Sequence, residues 1–356
     1  GTARFEFTGT AVEYFRIWIV NVFLTIITLG IYSAWAKVRR TRYLYSSTRL
    51  AGASFEYLAE PVQILKGRLI AIGLFALYII SGHVAPLLQV GEMLLFLGFL
   101  PWLVNRARAF SLRNTAYRNI TFDFQGRYGE AAGVYILWPI LLSLSLGLLY
   151  PLYVWRRAKF AIANSRYGSQ AFAFEVTPGP YFLAYLKFLA LLVVLLIAAG
   201  FAIGAATATL QGEADGLGGG AIVLGIFGGI LALLATLTYV HVKVTNLTWS
   251  SIEIAGMRTR CSLATPAMFW IAFSSLIAIV LSFGLLIPWA EIRMARYRVE
   301  QTSLEHAENL DALVGAQSRH VGAAGEELSD LLGIDVAVCP RSRRSTTTAA
   351  RSSRAR

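Results

Sequence analysis

Cysteine and charge are both scarce in this sequence. Its two cysteines, Cys261 and Cys339, lie far apart and have no Cys or His at metal-ligand spacing, which argues against a disulfide framework and against a zinc site. Charged residues make up 15% of the 356 residues and hydrophobic residues 56%, whereas soluble proteins average about 25% charged. Together with a mean hydropathy of +0.58, this composition indicates a membrane protein.

Motifs of common catalytic sites are also missing from the sequence. No Ser lies in G-x-S-x-G, no His pair lies in H-E-x-x-H, and the glycine-rich run 216–220 follows no strand pattern and has no Lys of a phosphate loop. We therefore expect no catalytic residue, no metal and no cofactor.

Long apolar segments are what the chain has instead. Residues 69–88, 182–210 and 219–240 are each long enough to cross a hydrocarbon core of about 30 Å as a helix, and the shorter run 93–104 predicts part of another span. Because backbone polar groups in lipid must be satisfied within the protein, these segments are expected to be helices.

The net charge of +12 is concentrated just outside particular apolar segments. Such clusters are typical of cytoplasmic loops and of contact with anionic lipid head groups. We therefore expect membrane lipids as partners and no nucleic acid. Protein partners and the oligomeric state are not indicated by any motif.

One pattern occurs three times, in residues 28–43, 145–160 and 282–297. Each copy has a Ser or Thr, an apolar residue and a Gly, followed by basic residues nine and twelve positions after the Gly and an aromatic residue at thirteen. Such recurrence predicts internal repeats. The predicted segments are repeat 1 (4–121), repeat 2 (122–251), partial repeat 3 (252–298), a cytoplasmic C-terminal segment (299–338), expected to be helical over 300–313, and an Arg/Ser/Thr-rich disordered tail (339–356).

Short alternating stretches before and after the basic helices predict β-strands. Residues 5–9, 122–126 and 252–256 alternate apolar with polar or charged residues and end at Gly, and 54–57 and 171–175 offer further strands. We expect these strands to pair within each repeat on the basic side of the membrane, because unpaired edges cannot lie in lipid.

The apolar blocks 14–36, 131–155 and 265–290 decide the topology. If all blocks cross, seven spans place the basic segments of repeats 1 and 2 on opposite sides. If these three blocks instead dip in and return, four spans remain and every basic segment lies on one side, which the positive-inside rule favours. The predicted fold is thus a polytopic α-helical membrane protein with four transmembrane helices and three broken, re-entrant hairpins, with seven spans as the alternative.

Two groups of residues are candidates for a functional site. Paired cations with neighbouring aromatic rings on one helix face could hold phosphate or carboxylate groups, although they are also typical of cations that snorkel to the interface; they are Trp35, Arg39, Arg42, Arg156, Lys159, Trp289, Arg293 and Arg296. Residues at the helix breaks could line a cavity; they are Asn21, Thr28, Gly30, Ser145, Gly147, Pro151, Ser282, Gly284 and Pro288.

Several motifs of the first repeat resemble a known family. The Phe-x-Phe-x-Gly start, the run Thr-Leu-Gly-Ile-Tyr-x-x-Trp-Ala with its Arg cluster, and Gly52-x-x-Phe55 with Pro61 and Gly67 resemble the YjgN-like family of bacterial inner-membrane proteins. The resemblance covers about residues 4–338, and the Arg-rich tail from Cys339 is unlike it. It implies a multi-pass protein of the bacterial inner membrane but supplies no active site, because the family's function is unknown.

Three function hypotheses follow from these observations. The first is a protein that binds or transports a small anionic or amphipathic molecule, such as a lipid, in a cavity lined by the broken hairpins. The second is a non-enzymatic membrane scaffold, and the third is a lipid-modifying enzyme. The basic loops and the C-terminus are expected on the cytoplasmic side.

Overall fold

The computed structural model describes residues 1–210 and 218–316, and residues 1–314 form one compact unit. The acidic loop 211–215 and the tail 339–356 lie outside the described residues. The helices are α1 Ala11–Ile27, α2 Ser33–Ser46, α3 Pro61–Val84, α4 Pro86–Arg113, α5 Tyr128–Ala132, a π-helical turn Gly133–Leu137, α6 Trp138–Leu144, α7 Tyr150–Ala163, α8 Gly179–Leu210, α9 Gly218–Trp249, α10 Thr265–Leu281, α11 Ile287–Glu300 and α12 (309–316).

Between the helices lie short strands. They are β1 Thr2–Phe7, β2 Thr48–Leu50, β3 Ala53–Tyr57, β4 Thr115–Tyr117, β5 Ile120–Phe124, β6 Ser165–Tyr167, β7 Gln170–Ala171, β8 Ala173–Phe174, β9 Ile252–Ile254, β10 Met257–Cys261 and β11 Thr302–Glu305.

All eleven strands belong to one antiparallel sheet that is nearly closed on itself. The strand order is β7-β6-β5-β4-β3-β2-β1-β11-β10-β9-β8. Its two edge strands, β7 and β8, are separated in the chain by Phe172 alone, while β1 pairs with β11 through Ala3 opposite Leu304. The sheet therefore forms a barrel-like ring in which the first and last strands are neighbours. We call it the strand ring.

Tight turns make hairpins of neighbouring strands. In three of them both turn residues have positive φ: Ala51 and Gly52, Arg118 and Asn119, and Ala255 and Gly256. Positive φ at both central residues matches the type I′ turn, whose twist suits a two-residue hairpin. These turns fix the registers of β2 with β3, β4 with β5 and β9 with β10.

A hydroxyl residue marks each place where a helix passes into the strand ring. The side-chain hydroxyl donates to the carbonyl four residues earlier at Thr48, Thr115, Ser165, Ser251 and Thr302. These bonds satisfy carbonyls that a helix C-terminus leaves without an amide partner. The same chemistry thus ends α2, α4, α7, α9 and α11 just before a strand begins.

Four helices are long and apolar enough to cross a membrane. The candidate spans are Pro61–His83, Leu87–Arg113, Gly179–Gly204 and Gly225–Trp249. Apolar side chains along them are largely exposed in the protein itself, which is the pattern of helices that face lipid. Two shorter apolar helices, Tyr128–Leu144 and Thr265–Leu281, belong with α1 to the shorter helical hairpins.

The shorter hairpins turn through one shared geometry. Leu29 and Gly30 have φ of 50° and 92°, and the corresponding pairs at 146–147 and 283–284 are alike. The Gly30 amide donates to the Thr25 carbonyl at 2.8 Å, a bond typical of a Schellman end. The Thr28 hydroxyl accepts from the Tyr32 amide at 2.9 Å and so satisfies the start of α2.

The expected fold class is wrong in its treatment of the strands. Strands do occur where the alternation predicts them, but they do not form separate pairs within repeats in an otherwise helical membrane protein. They join into one eleven-stranded, nearly closed sheet. The reason is long-range pairing: β1 bonds to β11, about three hundred residues away in the chain, and single-sequence patterns do not reveal such registers.

The shared sheet argues against the seven-span alternative. Every described helical hairpin begins and ends at a strand of the same sheet. An odd number of crossings between two such strands would put them on opposite sides of a membrane, where they could not pair.

The helix expected over residues 300–313 is interrupted. Residues 302–305 form β11, and α12 begins only at residue 309. Pairing with β1 and β10 supplies partners for the backbone of β11, and this outweighs the local helical preference.

We expect Gly30→Ala to lower stability by about 1 kcal/mol, because a Cβ is strained at φ 92°. Gly67→Ala is the matched control: no atom lies within 4 Å of the added Cβ and φ is not positive, so helix propensity favours alanine there. Thermal unfolding in mild detergent measures both variants. Equal midpoints for the two variants would contradict the assigned turn geometry.

Candidate ligand cavity inside the strand ring

The inward face of the strand ring is built from apolar and aromatic side chains. Alternation along each strand points every second side chain inward, and this places Leu50, Tyr117, Tyr167, Ile254 and Leu304 in one buried cluster. Phenylalanines of neighbouring strands pack against this cluster.

A cavity of about 740 Å³ occupies the centre of the strand ring and continues between the ends of the helices. We call it the ring cavity. Its volume lies within the range of about 300–1,000 Å³ usual for small-molecule sites. Phe55, Tyr117, Phe122, Tyr167 and Met257 are among its lining residues. The walls therefore offer mainly hydrocarbon and ring surface.

The tyrosine hydroxyls in this wall are already used. Tyr117 donates to the Leu50 carbonyl at 2.7 Å, and Tyr167 donates to the Tyr117 carbonyl at 3.0 Å. Burial raises the pKa of both hydroxyls, so both stay protonated donors at neutral pH. Their rings are left to face the cavity, which makes the wall more apolar than its composition suggests.

Helix α12 closes one end of the ring cavity. Leu310 and Leu313 are buried against the strand cluster and line the cavity. Asp311 pairs with Arg118 at 2.5 Å, and this hydrogen bond raises the pKa of Arg118, which also lies over the Tyr117 ring. Because Arg118 lies in the turn between β4 and β5, these contacts hold α12 at the end of the ring where the strand turns lie.

The other end of the ring cavity lies among the C-terminal ends of the helices and is more polar. His241, Thr245 and Trp249 come from α9, and Arg298 comes from the last turn of α11. The Arg298 Nη2 lies 3.1 Å from the His241 Nε2. Among the described residues, no ion pair involves Arg298.

A second cavity of about 550 Å³ lies between α2, α10 and α11 and shares Arg298 with the first. We call it the side cavity. Arg40 and Glu291, which line it, form an ion pair at 2.9 Å, and Tyr14 also donates to Glu291. The hydroxyl of Ser275, another lining residue, is buried and has no hydrogen-bond partner in the described part of the chain.

Two of the predicted cation pairs are partly used in holding the fold. Arg42 donates to the Tyr57 carbonyl at 3.4 Å, and Arg296 donates to the Gly9 carbonyl at 2.9 Å. Arg39 donates to the Tyr32 hydroxyl at 3.0 Å, and Trp35 stacks on the Tyr32 ring. These contacts join helices to strands and to their own hairpins.

The remaining predicted cations lie over indole rings. Arg156 and Lys159 are each 5.3 Å from the Trp155 ring centre, and Arg293 is 5.2 Å from that of Trp289. Arg293 also donates to the Ser274 hydroxyl at 2.6 Å. None of the eight predicted cations and tryptophans lines the ring cavity or the side cavity, so neither cavity brings the three pairs together.

The predicted helix-break residues build the hairpin turns. The hydroxyls of Thr28, Ser145 and Ser282 each accept a hydrogen bond from the backbone amide of the residue just before the next helix. The following glycines adopt positive φ. Prolines 151 and 288 lie in the first turns of α7 and α11. Asn21 is buried, and its Oδ1 has no hydrogen-bond partner within the described residues. None of these residues lines either cavity.

Sequence reasoning missed the residues that line the cavities. One sequence pattern could have indicated some of these lining residues. A hydroxyl residue follows each basic helix, and an apolar strand residue comes two positions later, as in 48–50, 115–117 and 302–304. No spacing rule connects Ser275 with Glu291 and Arg298, because Ser275 meets them only after α10 packs against α11.

Metal-binding groups do not cluster in the described ranges 1–210 and 218–316: no three His, Cys, Asp or Glu side chains are close enough to hold an ion. Cys261 is a free thiol in the wall of the ring cavity, and burial raises its pKa. A thiol in such surroundings behaves as a small apolar group.

Comparisons with known proteins agree with the membrane character of the chain. A protein named inner membrane protein YjgN from Salmonella typhimurium is 23% identical, with 86% of this chain and 89% of that protein covered. The proteins of the same name from Escherichia coli O157:H7 and from strain K12 are 30% and 31% identical over 41% of this chain and 37% of their own length. No solved structure matches the chain.

A family described as bacterial protein of unknown function (DUF898) matches residues 2–331. Its relatives are named as inner-membrane proteins, and four helices of the present chain are long and apolar enough to span a membrane. The family's description assigns no activity. The chain belongs to this YjgN-like family of bacterial inner-membrane proteins of unknown function.

Proposed function

We propose that this protein is an inner-membrane binding protein whose ring cavity holds the apolar part of an amphipathic, lipid-like molecule. The observation that carries the proposal is the ring cavity itself, which has a volume of about 740 Å³ and is lined mainly by apolar side chains of the strand ring. Burial of apolar surface contributes roughly 25 cal/mol per Å², so an alkyl chain would be bound well in such surroundings.

The arrangement of polarity around the ring cavity supports a ligand with two ends. Leucines of α12 lie at one end, and His241 and Arg298 lie at the other, among the helices that lead toward the membrane. An amphiphile would place its chain inside the strand ring and its head group near Arg298. Because α12 closes the far end, we propose binding rather than passage through the ring.

The same proposal places the strand ring and the basic residues on the cytoplasmic side. Since all helical hairpins start from one sheet, they would enter the membrane from one side and return to it. At about 25 Å, the 17-residue α1 is shorter than the hydrocarbon core. The tip residues Leu29, Leu146 and Phe283 are 94%, 92% and 98% exposed, which supports shallow, re-entrant insertion of the three shorter hairpins.

The binding proposal predicts that a bulky residue at the mouth of the ring cavity excludes the ligand. Thr245 lines the cavity on α9, and Thr245→Trp should lower retention of dioctanoyl phosphatidylcholine about tenfold, since overpacking costs ~1–3 kcal/mol. The measurement is native mass spectrometry of the protein in non-ionic detergent.

Thr238→Trp is the matched control for this experiment. Thr238 is on the same helix, is similarly half-buried and makes the same 2.7 Å bond to the carbonyl four residues back, but it lines neither cavity. Retention at the wild-type level is expected for it. Equal retention by the two variants would rule out the ring cavity as the site.

Topology is tested by cysteine accessibility in sealed inverted vesicles, after replacing Cys261 and Cys339. Single cysteines at Ser46 and Gln170, beside the strand ring, should both react with a membrane-impermeant reagent from the cytoplasmic side, and one at Leu88 should react from the other side. Labelling of Ser46 and Gln170 positions from opposite sides would overturn the arrangement, because strands β2 and β7 could then not share a sheet.

A further inference from the structure

We propose that the side cavity is the head-group site of the ligand and that it selects a monoanionic, phosphate-bearing lipid. This inference rests on the proposed function, because it gives the amphiphile in the ring cavity a head group and a place for it. It also moves the expected anion site away from the repeated cation pairs.

The two cavities adjoin at one residue. Arg298 lines both the ring cavity and the side cavity. A molecule whose chain lies among Tyr117, Tyr167 and Met257 would therefore have to pass Arg298 to reach the side cavity. The junction between chain and head group of a lipid would lie at this arginine.

The charge balance of the side cavity favours an anion. Its charged lining residues are Arg40, Glu291 and Arg298. Arg40 is compensated by Glu291 at 2.9 Å, and Tyr14 donates a further hydrogen bond to the same carboxylate. Among the described residues Arg298 has no ion-pair partner, and the His241 ring nitrogen is its neighbour at 3.1 Å. The net positive charge suits one negative charge on the ligand.

Geometry of donors supports phosphate in particular. A guanidinium offers several N–H donors in a planar fork that matches phosphate oxygens. Ser275 is 6% exposed and lines the side cavity, and its hydroxyl has no hydrogen-bond partner among the described residues. A buried hydroxyl without a partner is costly, and a phosphate oxygen would satisfy it. Ser275 lies on α10 and Arg298 on α11. Packing of these two helices places both donors at the same cavity.

The experiment compares dioctanoyl phosphatidylglycerol with dioctanoyl phosphatidylcholine, which share their chains and differ in head group. Native mass spectrometry of the full-length protein in non-ionic detergent gives the ratio of the two bound lipids. We expect the wild type to prefer phosphatidylglycerol, Arg298→Gln to lower that preference about tenfold, and Ser275→Ala to lower it about fivefold. Arg298→Lys, which keeps the charge, should retain most of it.

Arg106→Gln is the matched control, because Arg106 is an exposed arginine near the C-terminal end of α4 and lines neither cavity. Its lipid ratio should equal that of the wild type. An unchanged ratio in Arg298→Gln, or an equal fall in Arg106→Gln, overturns the head-group site. Displacement of phosphatidylglycerol by millimolar inorganic phosphate, with bound phosphatidylcholine unchanged, would show that the site takes free phosphate instead of a lipid head group.

Failure of the two proposals can be told apart. If Thr245→Trp keeps both lipids but Arg298→Gln loses the preference, the head group is bound as inferred and the chain lies outside the ring cavity. If Thr245→Trp loses both lipids while Arg298→Gln keeps the ratio, the proposal for the ring cavity is supported and the proposal for the head-group site is wrong. Absence of binding by either lipid overturns both.

Discussion

Backbone pairing between the first and last strands is the constraint on which the rest of this structure depends. β1 bonds to β11 on one side and to β2 on the other, so the two ends of the unit meet in one sheet. Every helical hairpin must then leave from and return to the same sheet. This single requirement gathers the C-terminal ends of α2, α4, α7, α9 and α11 around one centre.

The ring cavity is a consequence of this pairing. The strands are two to six residues long, and their inward side chains leave the middle of the ring unfilled. The hydroxyls of Tyr117 and Tyr167 bond to carbonyls. Leucines of α12 seal one end. The opposite end is bounded by polar residues of α9 and α11. The cavity therefore has mainly apolar walls and a charged opening.

Local patterns in the sequence predicted much of the secondary structure. The four long apolar helices overlap the predicted apolar segments, although the predicted segment 69–88 runs past the end of α3 into α4. The sequence also predicted the helix breaks at Gly30, Gly147 and Gly284, because a Ser or Thr shortly before a Gly is a local pattern. The structure shows positive φ at all three glycines. What could not be predicted is the union of the strands, which depends on registers between residues hundreds of positions apart.

The residues of the proposed site could not be found from the sequence for the same reason. The cation pairs repeat in the sequence, so Arg42 and Arg296 were predicted as anion ligands. In the structure both donate hydrogen bonds to backbone carbonyls. Arg298 lies two residues beyond Arg296 and has no counterpart in the repeated pattern. Its role depends on two cavities that exist only after α9, α10 and α11 pack against the strand ring. Repetition identified residues needed for the fold, whereas the candidate site lies where the repeated elements differ.

The most direct test is an electron cryo-microscopy map of the protein purified in lipid nanodiscs. The account predicts an elongated density inside the strand ring, in contact with Tyr117, Tyr167 and Met257 and extending past Arg298 into the side cavity. A ring whose inward side chains meet and leave no room for a chain, or density for lipid only on the outer surfaces of the helices, would contradict it.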